Sequence, residues 1–445
     1  MQRENWTSKF GFILAASGSA IGLGNIWRFP FVTGSNGGAI FLIIYLAAII
    51  LIGYPVLISE MAIGRKTEKN PIGAFKKLAP NTPWWLVGAL GVLAGFVILS
   101  YYSVIAGWGL AYIFKSIGGF SAEANFASIF TNHISGISAP ILWHLIFMFM
   151  TVAIVGTGVV KGIQKFVKIL MPLLFVILLF LILRSVTLEG AAEGLRYYLM
   201  PNLNEISVQT FIDAISQAFF TLSLGMGAMI TYGSYLSRDE SITDSASYVL
   251  IFDTGVAVLA GFAIFPAVFA FGLDPASGPG LTFITLPAVF SQMPLGSFFA
   301  VLFFALLTIA ALTSAISLLE VVVAYFVDEF EYNRKKISYI IGFIIFLVGI
   351  PPLLGYSTMS DFSFLGMDLL DSYDWISNNI LLPTGGLMTA IFIGHYWGVD
   401  KAVEEANLNS KRLKVGSLYS FLIKYIVPAA IAIIMLFSIS QTLMA

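Results

Sequence analysis

Eleven stretches of this chain are apolar and long enough to cross a bilayer, and nothing else in the sequence limits its fold as much. They fall near 10–35, 39–63, 85–113, 140–159, 167–186, 209–235, 244–272, 297–327, 337–354, 374–397 and 417–442. A spanning helix needs ~20 predominantly apolar residues. In lipid every backbone N–H and C=O must also be satisfied internally. The runs are continuously apolar rather than alternating, so a barrel of ~10-residue strands is not expected. The chain is 58% hydrophobic and 11% charged, where soluble domains carry ~25% charge. The expected fold is therefore all-α and integral to a membrane. No long polar segment separates the runs, so residues 1–445 read as one membrane domain without a cleavable signal.

Lysine and arginine set the expected orientation. With the N-terminus inside, Lys115, Arg184 and Arg196 lie in outer loops and Arg28 lies within a span, leaving 19 of the 23 basic residues inside. An odd number of spans then puts the C-terminus outside. Outer loops at 114–139, 186–208 and 273–296 are long enough to act as lids, and "NTPWW" (81–85) reads as an interfacial anchor. The net charge of -1 argues against nucleic acid as a partner. The absence of cysteine excludes disulfides and thiolate metal sites. His133, His144 and His395 are too scattered to mark a metal site, and no nucleophile triad or acid pair supports an enzyme.

Two of the runs are poor helices. "SGSAIGLGNIWRFP" (17–30) holds Gly18, Gly22, Gly24, Asn25 and Arg28, and "FFTLSLGMGAM" (219–229) holds Ser223, Gly225 and Gly227. Glycine costs ~1 kcal/mol against alanine inside a helix. Close helix packing explains either segment taken alone equally well. Together they say more, because each mixes glycines with oxygen-bearing residues at mid-depth. They also lie five spans apart, so they run in opposite directions through the bilayer. That pattern marks an inverted repeat whose broken helices build a midplane site. In this reading the glycines let both helices open. Freed carbonyls can replace a cation's hydration shell, and freed N–H groups can hold a carboxylate.

At these residues the sequence resembles the neurotransmitter:sodium symporter family, of leucine-transporter-type fold. The markers are "GSAIGLGNIWRFP", "NGGAIFLIIY" (36–45), "GYPVLISEMAIGR" (53–65), "KGIQKFVKILMP" (161–172), "QAFFTLSLGMGAMITYGSY" (217–235), "FITLPAVFSQ" (283–292) and "ALTSAISLLE" (311–320). The resemblance implies repeats at about 1–186 and 209–397, with 417–442 as an extra helix. It implies two Na⁺ sites. One takes Ala20, Asn25, Thr221 and Asp253; the other takes Gly18, Ile21, Ala310, Thr313 and Ser314. Hard oxygen donors suit an alkali cation, whereas Thr313 and Ser314 taken alone read as hydroxyls bonded back into their own helix.

The substrate contacts implied by the same resemblance are Ala20, Gly22, Gly24, Tyr102, Phe220, Thr221, Ser223 and Ser314. Ile98, Met226, Ser317 and Leu318 line the side-chain pocket. Amine-transporting relatives carry an acid where this chain has Gly22, so a substrate bringing its own carboxylate, an amino acid, is implied. Met226 replaces a bulky aromatic of some relatives, and methionine repacks around varied ligands. A broad or large hydrophobic substrate, aromatic ones included, is expected. Arg28 and Asp374 would form an outer gate, with Asp371 nearby. Arg3, Trp6, Tyr235 and Asp328 would form an inner one. Asp253, with Tyr45 and Gln217 in the same region, would supply the charge that chloride supplies in other relatives. Transport is thus expected to be chloride-independent, with Asp253, Glu60 or Glu320 as a proton carrier.

The expectation is a Na⁺-coupled secondary transporter in the cell (inner) membrane, monomeric or dimeric. Alternatives are a Na⁺-coupled carrier of another small zwitterion or metabolite and, from a different class, a channel or a transporter-like sensor.

Overall fold

The computed structural model describes residues 6–121, 123–410 and 412–444. Its helices are α1 (Lys9–Ala20), α2 (Gly24–Ser35), α3 (Ala39–Thr67), α4 (Trp85–Ile117), α5 (Ser138–Val155) and α6 (Val159–Val186). They continue as α7 (Val208–Thr221) and α8 (Ala228–Gly233). Then come α9 (Ile242–Ala270), α10 (Gly296–Phe330), α11 (Arg334–Leu354), α12 (Leu369–Trp397) and α13 (Ser417–Thr442), with shorter helices at Pro71–Leu78, Phe126–Ile134, Ala191–Leu199, Leu281–Gln292 and Val399–Asn407 in the connections. Among the described residues the secondary structure is helical, with one isolated bridge between Phe364 and Met367 and no strand. Among the described residues nine helices are long and apolar enough to cross a membrane, or ten if α1 and α2 count as one bent span. The remaining expected span, 209–235, is two short helices, α7 and α8.

Local chemistry marks the helix ends. Ser8 caps α1 by accepting from the Gly11 N–H, and Ser207 with Thr210 forms a capping box at α7. Asn333 and Asp368 cap α11 and α12 in the same way. Position in the bundle follows burial. The most apolar window of α10 is 78% buried, but that of α13 is only 17% buried, so α10 is an inner helix and α13 a peripheral one. The most extensive helix–helix contact is between α4 and α10, and α1 sits among α9, α10 and α6. Between helices that are equally apolar, van der Waals packing supplies the association. The inner helices close around α1 and the α7–α8 junction, which places both helix breaks at the centre.

The breaks differ in construction. Between α1 and α2 the chain bends by 50°. Ile21 turns to an extended conformation (φ −71°, ψ 108°), and none of Gly18, Gly22 and Gly24 takes a positive φ. Between α7 and α8, residues 222–227 leave the helix, with Ser223 at φ 54°, Gly225 at 79° and Gly227 at 72°. The left-handed region is open to glycine and costs ~1–2 kcal/mol for other residues, so two glycines and one serine make this break.

Candidate functional site

The two breaks are joined through hydroxyls. At the end of α1 the Ser19 carbonyl accepts from the Ser223 hydroxyl and from the Ser314 hydroxyl, each at 3.0 Å. The Ile21 carbonyl lies 3.1 Å from Ser314 Oγ and 3.2 Å from Thr313 Oγ1. Thr313 is also 2.9 Å from the Ala310 carbonyl of its own helix, so its single proton has acceptors in both helices. Gly18 faces the same place: a Cβ there would lie 3.5 Å from Thr313 Cβ. Four of the expected second-site residues, Ile21, Ala310, Thr313 and Ser314, therefore converge through their oxygens, with Gly18 beside them.

A second oxygen cluster surrounds Asp253, which is fully buried on α9. Its carboxylate accepts from Asn25 Nδ2 at 2.8 Å and from Thr221 Oγ1 at 3.0 and 3.2 Å. Asn25 also accepts the Gly22 N–H at 2.9 Å, occupying a donor that the broken helix frees. Tyr45 is fully buried nearby, and among the described residues its hydroxyl meets no partner at hydrogen-bond geometry. Among the described residues no cluster of three or more His, Cys, Asp or Glu could hold a metal ion. Each oxygen cluster carries at most one formal charge, which suits a monovalent hard cation better than a divalent one.

Between the clusters a small enclosed cavity is lined by Ala20, Gly22, Gly24, Ile98, Tyr102, Phe220, Ser223, Met226, Ser314 and Leu318. Thr221 and Ser317, also expected here, are absent from the lining. Thr221 turns to Asp253, and Ser317 donates to the Ser314 carbonyl at 2.8 Å within its own helix. Tyr102 accepts the Leu23 N–H at 3.0 Å, a further group freed by the break. A Cβ at Gly22 would collide with Ser314 Oγ and lie 2.7 Å from the Tyr102 hydroxyl. The glycine is required by this close approach, and it lies within the break without taking a positive φ. The cavity holds about 20 Å³, roughly the space of one water.

On one side Phe220 roofs the cavity, with the Arg28 guanidinium 5.2 Å from its ring centre. Arg28 donates to Gln217 Oε1 at 2.8 Å and to Ser216 Oγ at 3.3 Å. Asp374 instead accepts from Asn378 Nδ2 at 2.8 Å, and among the described residues no Arg28–Asp374 ion pair forms. The expected direct pairing is replaced because Gln217 and Ser216, on the adjacent α7, offer Arg28 nearer oxygens.

On the opposite side Trp6 packs edge-on against Tyr232 and Tyr235 and donates from Nε1 to the Tyr232 carbonyl at 3.1 Å. Tyr235 donates to Glu320 Oε1 at 2.7 Å, and Glu320 pairs with Arg334 at 2.6 Å. Asp328 accepts from the Asn70 N–H at 2.9 Å. Arg3 lies outside the described residues.

Two features were not assigned a place in the site from sequence. The Glu60 carboxylate accepts the Gly225 N–H at 2.7 Å and so anchors the unwound stretch. A lone acid inside "VLISEMAI" was the available signal, read there only as a proton carrier. The Ser19 carbonyl, which both serines share, left no sequence signal because it is a backbone atom.

An all-α membrane protein with two interrupted helices meeting around oxygen clusters and a closed cavity is built as a transporter, not an enzyme. The model of the Sodium:neurotransmitter symporter family matches residues 3–128 and 123–444. The sodium-dependent transporter YhdH of Bacillus subtilis is 44% identical over 439 residues, covering 97% of this chain and 96% of its own. A sodium-dependent transporter of Haemophilus influenzae is 36% identical over 450 residues, covering 97% of each. The crystal structure of MhsT in complex with L-phenylalanine superposes with a TM-score of 0.91 at 47% identity, covering 98% of this chain and all of that one. The chain therefore belongs to the sodium:neurotransmitter symporter family.

Proposed function

We propose that the protein couples inward Na⁺ movement to uptake of a hydrophobic amino acid, aromatic ones included, by alternating access. The observation that carries this reading is the meeting of both helix breaks at Ser19, with the oxygen clusters on either side and the cavity between them. One Na⁺ takes Ala20, Asn25, Thr221 and Asp253; the other takes Gly18, Ile21, Ala310, Thr313 and Ser314. The substrate carboxylate is held by backbone at Ala20–Gly24 and by Tyr102, and its side chain by Ile98, Met226 and Leu318, with Ser317 set behind them. The phenylalanine bound in MhsT supports this class of substrate. Admitting such a side chain to a cavity of about 20 Å³ requires Met226 and Phe220 to move, as a flexible floor and a lid do.

Asp253 supplies a fixed negative charge beside the first site, so chloride is not required. Arg28 and Asp374 shape the outer gate, Trp6, Tyr235, Asp328 and Arg3 the inner one. The N-terminus is cytoplasmic and the C-terminus external. Residues 1–186 and 209–397 form inverted repeats, each opened by one broken helix. The test is a thermal-shift screen of the twenty amino acids with and without Na⁺, since a ligand binding the native state raises apparent stability. Stabilisation by phenylalanine or leucine only with Na⁺, unchanged when gluconate replaces chloride, is expected. Equal shifts without Na⁺ contradict the coupling, and a requirement for chloride contradicts the role of Asp253.

A further inference from the structure

A much larger cavity than the central one opens on the lipid-facing surface. It holds about 620 Å³ and lies between α4 and α12, lined by Trp84, Leu86, Leu90 and Leu93 on one wall and Thr384 and Met388 on the other. Leu86 is 52% exposed and Leu93 49% exposed, so the groove is open along its length. No charged residue lines it. Its one hydroxyl, on Thr384, already reaches Met435 Sδ at 3.5 Å.

Both walls of this groove rest on the break between α7 and α8. On α4, Gly91 lies between Leu90 and Leu93, and a Cβ there would be 3.1 Å from Gly227 N and 3.2 Å from Met226 C. On α12, Gly385 and Gly386 follow Thr384. A Cβ on Gly385 would collide with the Gly225 carbonyl, and one on Gly386 with the Phe219 ring. One layer of backbone, that of α4 and α12, thus separates the groove from residues 225–227, and Met226 among these lines the central cavity.

The geometry points to an acyl-chain site: one hydrocarbon tail of a bilayer phospholipid lies in the groove and braces the unwound stretch from behind. The occupant follows from dimensions and chemistry. From its start at Trp85 to Leu93 the helix rises about 12 Å, close to half of the ~30 Å hydrocarbon thickness, so the groove spans most of one leaflet. At its mouth Trp84 packs on Phe392 at 5.1 Å and on Tyr396 at 5.6 Å, an aromatic pair of the kind found at headgroup depth. Apart from the Trp84 indole N–H at the mouth, the walls offer no free donor or charge, which matches a hydrocarbon tail below a polar headgroup. The spacing of α4 and α12 fixes how tightly glycine backbone is clasped around residues 225–227. A tail in the groove holds that spacing and with it the position of Met226. This functional half rests on the transport reading; the binding half does not.

The test uses the full chain in phosphatidylethanolamine:phosphatidylglycerol vesicles doped with a phosphatidylcholine carrying a diazirine in one acyl chain. After irradiation, adducts are mapped by mass spectrometry, with Ile169 and Val176 on the open face of α6 as the reference for ordinary lipid contact. Labelling at Leu90, Thr384 and Met388 is expected to exceed the reference several-fold, and Leu90→Trp, which fills the groove, to abolish it at Thr384 and Met388. Leu90→Trp and the milder Leu90→Phe are then expected to change the KM for phenylalanine several-fold with little change in Tm. Labelling no stronger than at Val176, or cross-links between two copies of the chain on this face, overturns the site. Normal labelling with an unmoved KM overturns the brace. Absence of any Na⁺-driven uptake in the wild type sinks the transport reading but leaves the labelling result standing.

Discussion

The first span, α1 with α2 (helix 1), and the sixth, α7 with α8 (helix 6), are both interrupted and both rich in glycine, yet the interruptions are built in opposite ways. In helix 1 the glycines keep negative φ, and side chains from elsewhere take up the freed backbone groups. Asn25 accepts the Gly22 N–H, Tyr102 the Leu23 N–H, and Ser314 donates to the Ser19 and Ile21 carbonyls. In helix 6 the backbone itself departs through three left-handed residues, and a single buried acid, Glu60, takes the Gly225 N–H. Capture by side chains leaves the shape of break 1 dependent on its neighbours. Left-handed backbone writes break 6 into the chain. Helix 1 is therefore held open by chemistry that a moving partner can withdraw, whereas the unwinding of helix 6 is carried by its own backbone.

Substitution tests this distinction, and the largest effect is expected at Gly225. Gly225→Ala forces a side chain into the left-handed region and onto the Leu382 carbonyl, costing about 2–4 kcal/mol, read as a fall in Tm or loss of folded protein. Next is Asp253→Asn, which removes the one charge of its cluster. Na⁺ affinity measured by thermal shift should weaken by about tenfold or more, since hydrogen bonds and contacts to a charged group contribute about 1.5–3 kcal/mol. Tyr102→Phe leaves the Leu23 N–H unpaired and should raise the KM for phenylalanine roughly fivefold with a small change in Tm. Gly24→Ala should be mild in stability, because its new Cβ meets the movable Phe220 ring rather than backbone. If it destabilises as strongly as Gly225→Ala, the contrast between the breaks is wrong.

The smallest effect is a pH slope outside the spans. His133, on the short helix Phe126–Ile134, is held down to about 4 by burial, with Lys115 adding to the shift. Because its folded value lies below the unfolded ~6.5, stability is full above that value and declines as pH falls toward 4. His133→Phe should flatten Tm between pH 6.5 and 4 without touching Na⁺ dependence. A change in Na⁺ dependence would tie this helix to the site.

Much of this was legible because lipid leaves few choices. Continuous apolar runs gave the helices, and oxygen-bearing residues at mid-depth marked both breaks. Glycine was ambiguous in sequence because it serves two purposes, positive φ at 225 and 227 and close approach at 22, and only the backbone angles separate them. The Arg28–Asp374 pairing failed for a related reason. Sequence offers charges, whereas the guanidinium takes the nearest well-placed oxygens, here those of Gln217 and Ser216. Ser19 was invisible as a ligand because its contribution is a carbonyl. The groove between α4 and α12 backs onto the α7–α8 break through Gly91 on one helix and Gly385–Gly386 on the other, which no local pattern links.

The central claim is that the two breaks form one Na⁺-coupled site, and uptake tests it most directly. Radiolabelled L-phenylalanine is offered to proteoliposomes holding the full chain, under an inward Na⁺ gradient or an equal K⁺ gradient, for the wild type and Ser314→Ala. The account predicts saturable accumulation with Na⁺ alone, with Ser314→Ala demanding several-fold more Na⁺. Flux that is non-saturating, or equal in Na⁺ and K⁺, contradicts it.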